Sequence, residues 1–194
     1  MKLLIGAVSL ATGVLFTGCQ CCRNTSADKP SATSMTTTVP AVPSPAAIRI
    51  KAGTTAPFTD SSGNVWLADQ GFADGETVER ADLKIENTEV PGVYLAERYS
   101  MTAFAKPLPN GRYLVKLHFA ETYEGITGPG QRVFSFNVEG REFKDFDVWV
   151  KAGGALRAYV ETVNVQVTDG KLDISFTSNI ENPEINGLEI IPAS

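Results

Sequence analysis

Residues 160–176 read "VETVNVQVTDGKLDISF", and this stretch decides the fold class. Val163, Val165 and Val167 alternate with polar residues, and Leu172, Ile174 and Phe176 repeat the pattern. A repeat of two places one row of side chains on one face of a strand. Asp169–Gly170 lies between the two runs and supplies a turn, so the stretch predicts an antiparallel hairpin. The same texture extends outward. "RYLVKLHFA" sends Tyr113, Val115, Leu117 and Phe119 to one face, and Leu114, Lys116 and His118 to the other. "RVFSFNVEGREF" aligns Phe134, Phe136 and Val138, then turns at Glu139–Gly140. "IRIKAG" opens the strand region at Ile48, and "INGLEIIP" closes it at Pro192. No run of ten residues carries a period of 3.6, and "TVERADLKIE" allows at most a short helical turn. Many short strands with turn signals between them predict an all-β, antiparallel β-sandwich or barrel. A long acidic stretch between Trp66 and Pro91 is expected to be loops, which on a sandwich often carry function.

The N-terminus differs in kind. "MKLLIGAVSLATGVLFTGCQCC" has Lys2, an uncharged run from Leu3 to Phe16, then Gly18–Cys19. This is the layout of a secretory signal peptide. As a helix the run spans about 21 Å, short of the roughly 30 Å hydrocarbon core. "LFTGC" resembles a bacterial lipoprotein cleavage box, which implies a signal peptide over 1–18 and lipidation at Cys19. A plain cleaved signal is the alternative. Residues 19–47 are rich in Ser, Thr, Pro and Ala and read as a linker. The expected domains are therefore signal 1–18, linker 19–47 and sandwich 48–194. An exported membrane lipoprotein at the outer membrane or cell surface, rather than free in the periplasm, is the expected location. All three cysteines lie at 19, 21 and 22, so the sandwich has no disulfide and depends on its core. Within the sandwich, one histidine and no cysteine leave no metal-ligand spacing, and no cofactor is implied. A net charge of −5 offers no basic surface for nucleic acid.

Three groups of residues carry candidate chemistry. His118 lies beside Lys116 on the side of its strand away from the core, with no nucleophile turn anywhere in the chain, so it is expected to be a packing or surface residue without partners. Glu97, Glu121, Glu124, Glu181 and Glu184 stand at strand ends, too many for spacing alone to single out an acid–base pair. They can hydrogen-bond loop amides or the hydroxyls of a ligand. Tyr94, Tyr99 and Tyr123 lie near strand ends, where a flat apolar ring with a polar tip can stack on a sugar. Trp66 and Trp149 could either stack or pack in the core, while Tyr113 belongs to the core.

Several stretches together resemble the malectin-like carbohydrate-binding domains. They are "YLAERY" (94–99), "PNGRYLVKLHFAETY" (109–123), "GQRVFSFNVEGREFKDFDV" (130–148), "KAGG" (151–154), and "DGKLDISF" followed by "ENPEINGLEI". The resemblance implies a jelly-roll sandwich of galactose-binding-domain type and a non-enzymatic, carbohydrate-binding role. In the family's animal lectin an α-linked diglucose is held by aromatic residues and an acid. By position this carries over to Tyr99 and Tyr123 as aromatic walls, and Glu181 as the acid. Glu124 stands where that lectin has a further aromatic residue, and Glu121 completes the candidate ligand-binding set. The implied partners are an oligo- or polysaccharide, glucose-containing ones among them, the membrane through Cys19, and a glycoside hydrolase or surface protein. The competing expectation is a structural or protein-interaction sandwich that has lost sugar binding.

Overall fold

The computed structural model describes residues 46–193. The signal, the lipidation position Cys19 and all but the last two residues of the expected linker 19–47 lie outside the described residues. In chain order the strands are β1 (Ile48–Lys51), β2 (Phe58–Thr59), β3 (Val65–Trp66), β4 (Phe72–Ala73), β5 (Glu76–Glu79), β6 (Ala96–Tyr99) and β7 (Ala103–Pro107). They continue with β8 (Gly111–Phe119), β9 (Val133–Val138), β10 (Arg141–Phe146), β11 (Tyr159–Val167), β12 (Lys171–Ile180), β13 (Glu184–Ile185) and β14 (Gly187–Pro192). A 3-10 helix spans Pro91–Leu95, and a single helical turn, α1, spans Val148–Ala152.

Two antiparallel sheets form the sandwich, with strand orders β1-β14-β8-β11 and β10-β9-β12-β7-β4. Their inner faces supply one core, including Val115, Leu117 and Phe119 of β8, Val163 of β11, and Phe134, Phe136, Leu172 and Ile174 opposite. Phe119, Phe134, Phe136 and Phe146 meet with ring centroids between 5.0 and 6.2 Å apart. The predicted alternation of β8 holds, and Tyr113 is core, its hydroxyl donating to the Pro109 carbonyl at 2.8 Å. Glu139–Gly140 makes the predicted turn between β9 and β10, with both residues at positive φ.

The stretch 160–176 is not a hairpin. β11 pairs along its whole length with β8, from Tyr159 opposite Phe119 to Val167 opposite Gly111. β12 pairs with β7 and β9 in the other sheet. Asp169–Gly170 therefore arches across the core, and the two apolar rows face each other instead of lying side by side. Asn110 ties this arch down: its amide donates to the Thr168 carbonyl at 2.9 Å and its carbonyl accepts from Gly170 N–H at 2.8 Å. Alternation is identical in a hairpin and an arch, and the distant Asn110 helps fix which one forms.

A three-stranded sheet, β13-β6-β5, closes one end of the sandwich. Beside it, Trp66, Val93, Tyr94, Ala120 and Ala158 form a second cluster. This cluster corrects two expectations. His118 has partners: it is 5% exposed, with Nδ1 2.9 Å from the Tyr94 hydroxyl and Nε2 3.1 Å from Glu189 Oε1. Trp66 meets its ring edge-on at 5.2 Å. Tyr94 is not a surface tyrosine but is fully buried, and burial pushes its hydroxyl pKa upward. Trp66 is also buried, its Nε1–H donating to Asp60 at 2.9 Å.

Candidate functional site

One face of β13-β6-β5 builds the floor of a cleft. Glu184, Tyr99 and Glu76 lie opposite one another across the three strands, and Val78 lies opposite Glu97. Directly opposed residues of an antiparallel pair share a face, and so do residues two apart on one strand. Glu97, Tyr99, Val78 and Glu184 are therefore one surface. Arg98 faces the other way and forms an ion pair with Asp69 at 2.9 Å.

The cleft has a volume of 290 Å³ and is lined by Val78, Arg80, Glu97, Tyr99, Tyr123, Arg132, Glu181 and Asn182. Tyr99 is half-buried and Tyr123 is 46% exposed. Tyr123 lies against Gly125, where a Cβ would sit 2.5 Å from its ring, so only glycine lets the ring lie there. Glu181 follows β12 in a left-handed conformation (φ 61°) and accepts from the Asn182 amide at 3.0 Å. The structure thus brings together Tyr99, Tyr123 and Glu181.

Glu121 and Glu124 are placed differently. Glu121 is 1% exposed; it accepts from Arg132 Nε at 2.7 Å and from Tyr123 N–H at 3.0 Å. It therefore orients two cleft residues from behind. Glu124 is exposed and lines a separate groove that shares Tyr123 with the cleft.

Two arginines, absent from the set read in sequence, organise the cleft. Arg80 pairs with Glu97 at 3.0 Å and donates to the Thr122 hydroxyl at 3.0 Å, while that hydroxyl donates to Glu97. Arg132 bridges Glu121 and the Asn182 carbonyl at 2.8 Å. Glu184 lies among these groups at 0% exposure, and neither of its oxygens has a hydrogen-bond partner among the described residues. Burial, then the charges of Glu97 and Glu121, push its pKa well above the usual carboxylate range. Burial also pushes the Glu121 pKa upward, against the Arg132 charge beside it, and Glu184, with no hydrogen-bond partner among the described residues, is the carboxyl pushed up most strongly toward the protonated form. The sequence signal for this layer was a charge set in apolar surroundings, as in "YLAERY" and "NPEING".

The Malectin domain family model matches residues 46–188. Among curated proteins, a probable leucine-rich repeat receptor-like serine/threonine-protein kinase of Arabidopsis thaliana is 38% identical over 103 residues, covering 48% of this chain and 10% of the kinase. A probable receptor-like protein kinase of the same plant is 29% identical over 146 residues, covering 66% of this chain and 17% of the kinase. The chain spans only about a tenth to a fifth of the curated relatives it matches. Among solved structures, the ANX1 ectodomain from Arabidopsis thaliana aligns with a TM-score of 0.66 at 17% identity, over 76% of this chain and 48% of that one. A Bacteroides uniformis β-glucuronidase aligns with a TM-score of 0.69 at 20% identity, over 76% of this chain and 18% of the enzyme. At such identities the two structural likenesses speak to the fold alone. With the family model matched over most of its length, the chain belongs to the Malectin domain family.

Proposed function

We propose that the sandwich is a non-catalytic carbohydrate-binding module, displayed outside the cytoplasm on a linker tethered at Cys19. The observation that carries this is the cleft between Tyr99 and Tyr123. It combines apolar ring faces with a rim of Glu181 and Asn182 and a floor of ion-paired arginines. A sugar ring has an apolar C–H face and a rim of hydroxyls, so stacking and polar contacts hold it together. Glu97 and Glu121 are each committed to an arginine, and Glu184 is out of reach of solvent. A general acid must touch its substrate, so the cluster is suited to holding the cleft in shape and not to glycoside cleavage.

The test is a glycan array followed by calorimetry on the best binder. Tyr99→Ala and Tyr123→Ala should each weaken binding about tenfold, equivalent to ~1.4 kcal/mol. No glycan bound, or bound glycan indifferent to both changes, favours a structural sandwich that has lost its ligand.

A further inference from the structure

The charges around the cleft do not cancel. Arg80 and Arg132 line it, but each is already matched, Arg80 by Glu97 at 3.0 Å and Arg132 by Glu121 at 2.7 Å. Glu181 on the rim is exposed and forms no ion pair among the described residues. Its Oε1 accepts from the Asn182 amide at 3.0 Å, and Oε2 has no hydrogen-bond partner among them. Glu76 lies opposite Tyr99 on the cleft face of β5, also exposed and also without an ion pair. We propose that the cleft selects a saccharide carrying a free amino group, an ammonium ion near neutral pH, over its hydroxyl, acetamido and carboxylate counterparts. The proposal rests on the carbohydrate reading and names the substrate class for that same cleft.

Two guanidinium groups stand against the carboxyls of Glu76, Glu97, Glu121 and Glu181, before Glu184 is counted. The balance stays negative even with protons on both Glu121 and Glu184. The buried layer registers this field. Glu184 leaves β13 on the face that carries Tyr99, is wholly buried, and has no hydrogen-bond partner on either oxygen among the described residues. After burial, the charges of Glu97 and Glu121 do most to raise its pKa, and each outweighs the opposing charges of Arg132 and Arg80. A cation entering the cleft is therefore attracted, and an anion is repelled. An acidic sugar gains little from arginines whose charges are matched, and it adds a like charge.

The tyrosines act in the same sense. The face of an aromatic ring is the negative part of its quadrupole, and it attracts an ammonium within about 6 Å of the ring centroid. Tyr99 and Tyr123 give the cleft two such rings. Aromatic faces beside an unmatched carboxylate suit an ammonium better than a hydroxyl, which draws on neither charge. Glu181 is also held ready. Its backbone sits at φ 61°, the next carbonyl, of Asn182, accepts from Arg132 Nη1 at 2.8 Å, and the Pro183 carbonyl accepts from Ser100 N–H at 2.9 Å. A carboxylate on a backbone fixed this way gives up little freedom when it pairs with a ligand.

Matched methyl glycosides test this on the full chain by NMR titration, at a pH where the amine is protonated. The glucose and galactose series are used in both anomers, each with a hydroxyl, amino or acetamido group at carbon 2, and each as the uronic acid. In a series that binds, the amino form should bind about fivefold tighter than the hydroxyl form, and the uronic acid should bind most weakly. High salt should narrow the gap, because rim charges are screened. Glu181→Gln combined with Glu76→Gln should bring the amino and hydroxyl forms to within about twofold of each other. Glu142→Gln, which removes a carboxylate of β10 outside the cleft, should leave the amino preference in place. Equal affinities of the amino and hydroxyl forms, an amino preference that survives the double variant, or one that Glu142→Gln also abolishes, overturns the proposal and leaves the carbohydrate reading standing. No binding by any member of either series overturns both.

Discussion

At the scale of single residues, Glu184 stands out, because a fully buried carboxyl without a hydrogen bond is costly in any core. Its folded pKa lies above its unfolded value of about 4.3. Between those two values the folded protein keeps a proton that the unfolded chain has released. Stability therefore falls as pH rises through that window, and it is highest, for this group, below the unfolded pKa. Glu184→Gln removes the titration while keeping the shape. It should make the protein more stable than wild type at pH 7, with little gain at pH 4.5. Denaturant titrations at the two pH values measure this. An equal change at both would show that Glu184 is not the group holding the proton. A destabilising acid in this position is intelligible beneath a cleft, where local rules yield to a site, more readily than in a core.

At the scale of elements, β6 carries Glu97 and Tyr99 into the cleft, and its position depends on Gly53. That residue has φ 80°, and a Cβ there would lie 2.4 Å from the Glu97 carbonyl oxygen. Gly53→Ala should cost roughly 2–4 kcal/mol, from the left-handed backbone and from displacing β6. Gly63 has the same φ and open space around it, so Gly63→Ala should cost only about 1 kcal/mol. Thermal melts of the two variants separate these contributions, and equal losses would mean that β6 is free to shift. Elements were largely legible in the sequence, as β8, β9 and β14 show, because alternation is a local property. The partner of each strand was not. β11 and β12 look like a hairpin, yet each belongs to a different sheet. The cleft was half legible. Tyr99, Tyr123 and Glu181 were found from motif positions, whereas Arg80 and Arg132 act through partners 17 and 11 residues away. Tyr94 and His118 were misjudged because a period of two shows which face a residue takes, and not whether a second layer covers it.

At the scale of the whole molecule, two carboxyls pull the pH dependence of stability in opposite directions. Glu189 sits in a row across three strands, opposite Arg49 of β1 and Lys116 of β8. It pairs with Arg49 at 2.8 Å, Lys116 at 3.6 Å and His118 at 3.1 Å. Burial alone would raise its pKa, but the hydrogen bond and charge of His118, then Lys116 and Arg49, hold it down at about 2. Its folded value lies below the unfolded one, so its contribution is complete above about pH 4.3 and is lost as pH falls toward 2. Glu184 acts in the opposite sense above pH 4.3. Glu189 thus makes stability fall as pH drops toward 2, and Glu184 makes it fall as pH rises above about 4.3. Glu189→Gln should flatten the acid limb and cost about 1.5–3 kcal/mol at pH 7, the usual range for hydrogen bonds to a charged group. Glu184→Gln should instead flatten the neutral limb. Unfolding free energies measured from pH 2 to pH 8 for wild type and both variants resolve the two limbs. A wild-type curve that still rises between pH 5 and pH 7 would mean that the buried cluster beneath the cleft does not carry the proton assigned to it.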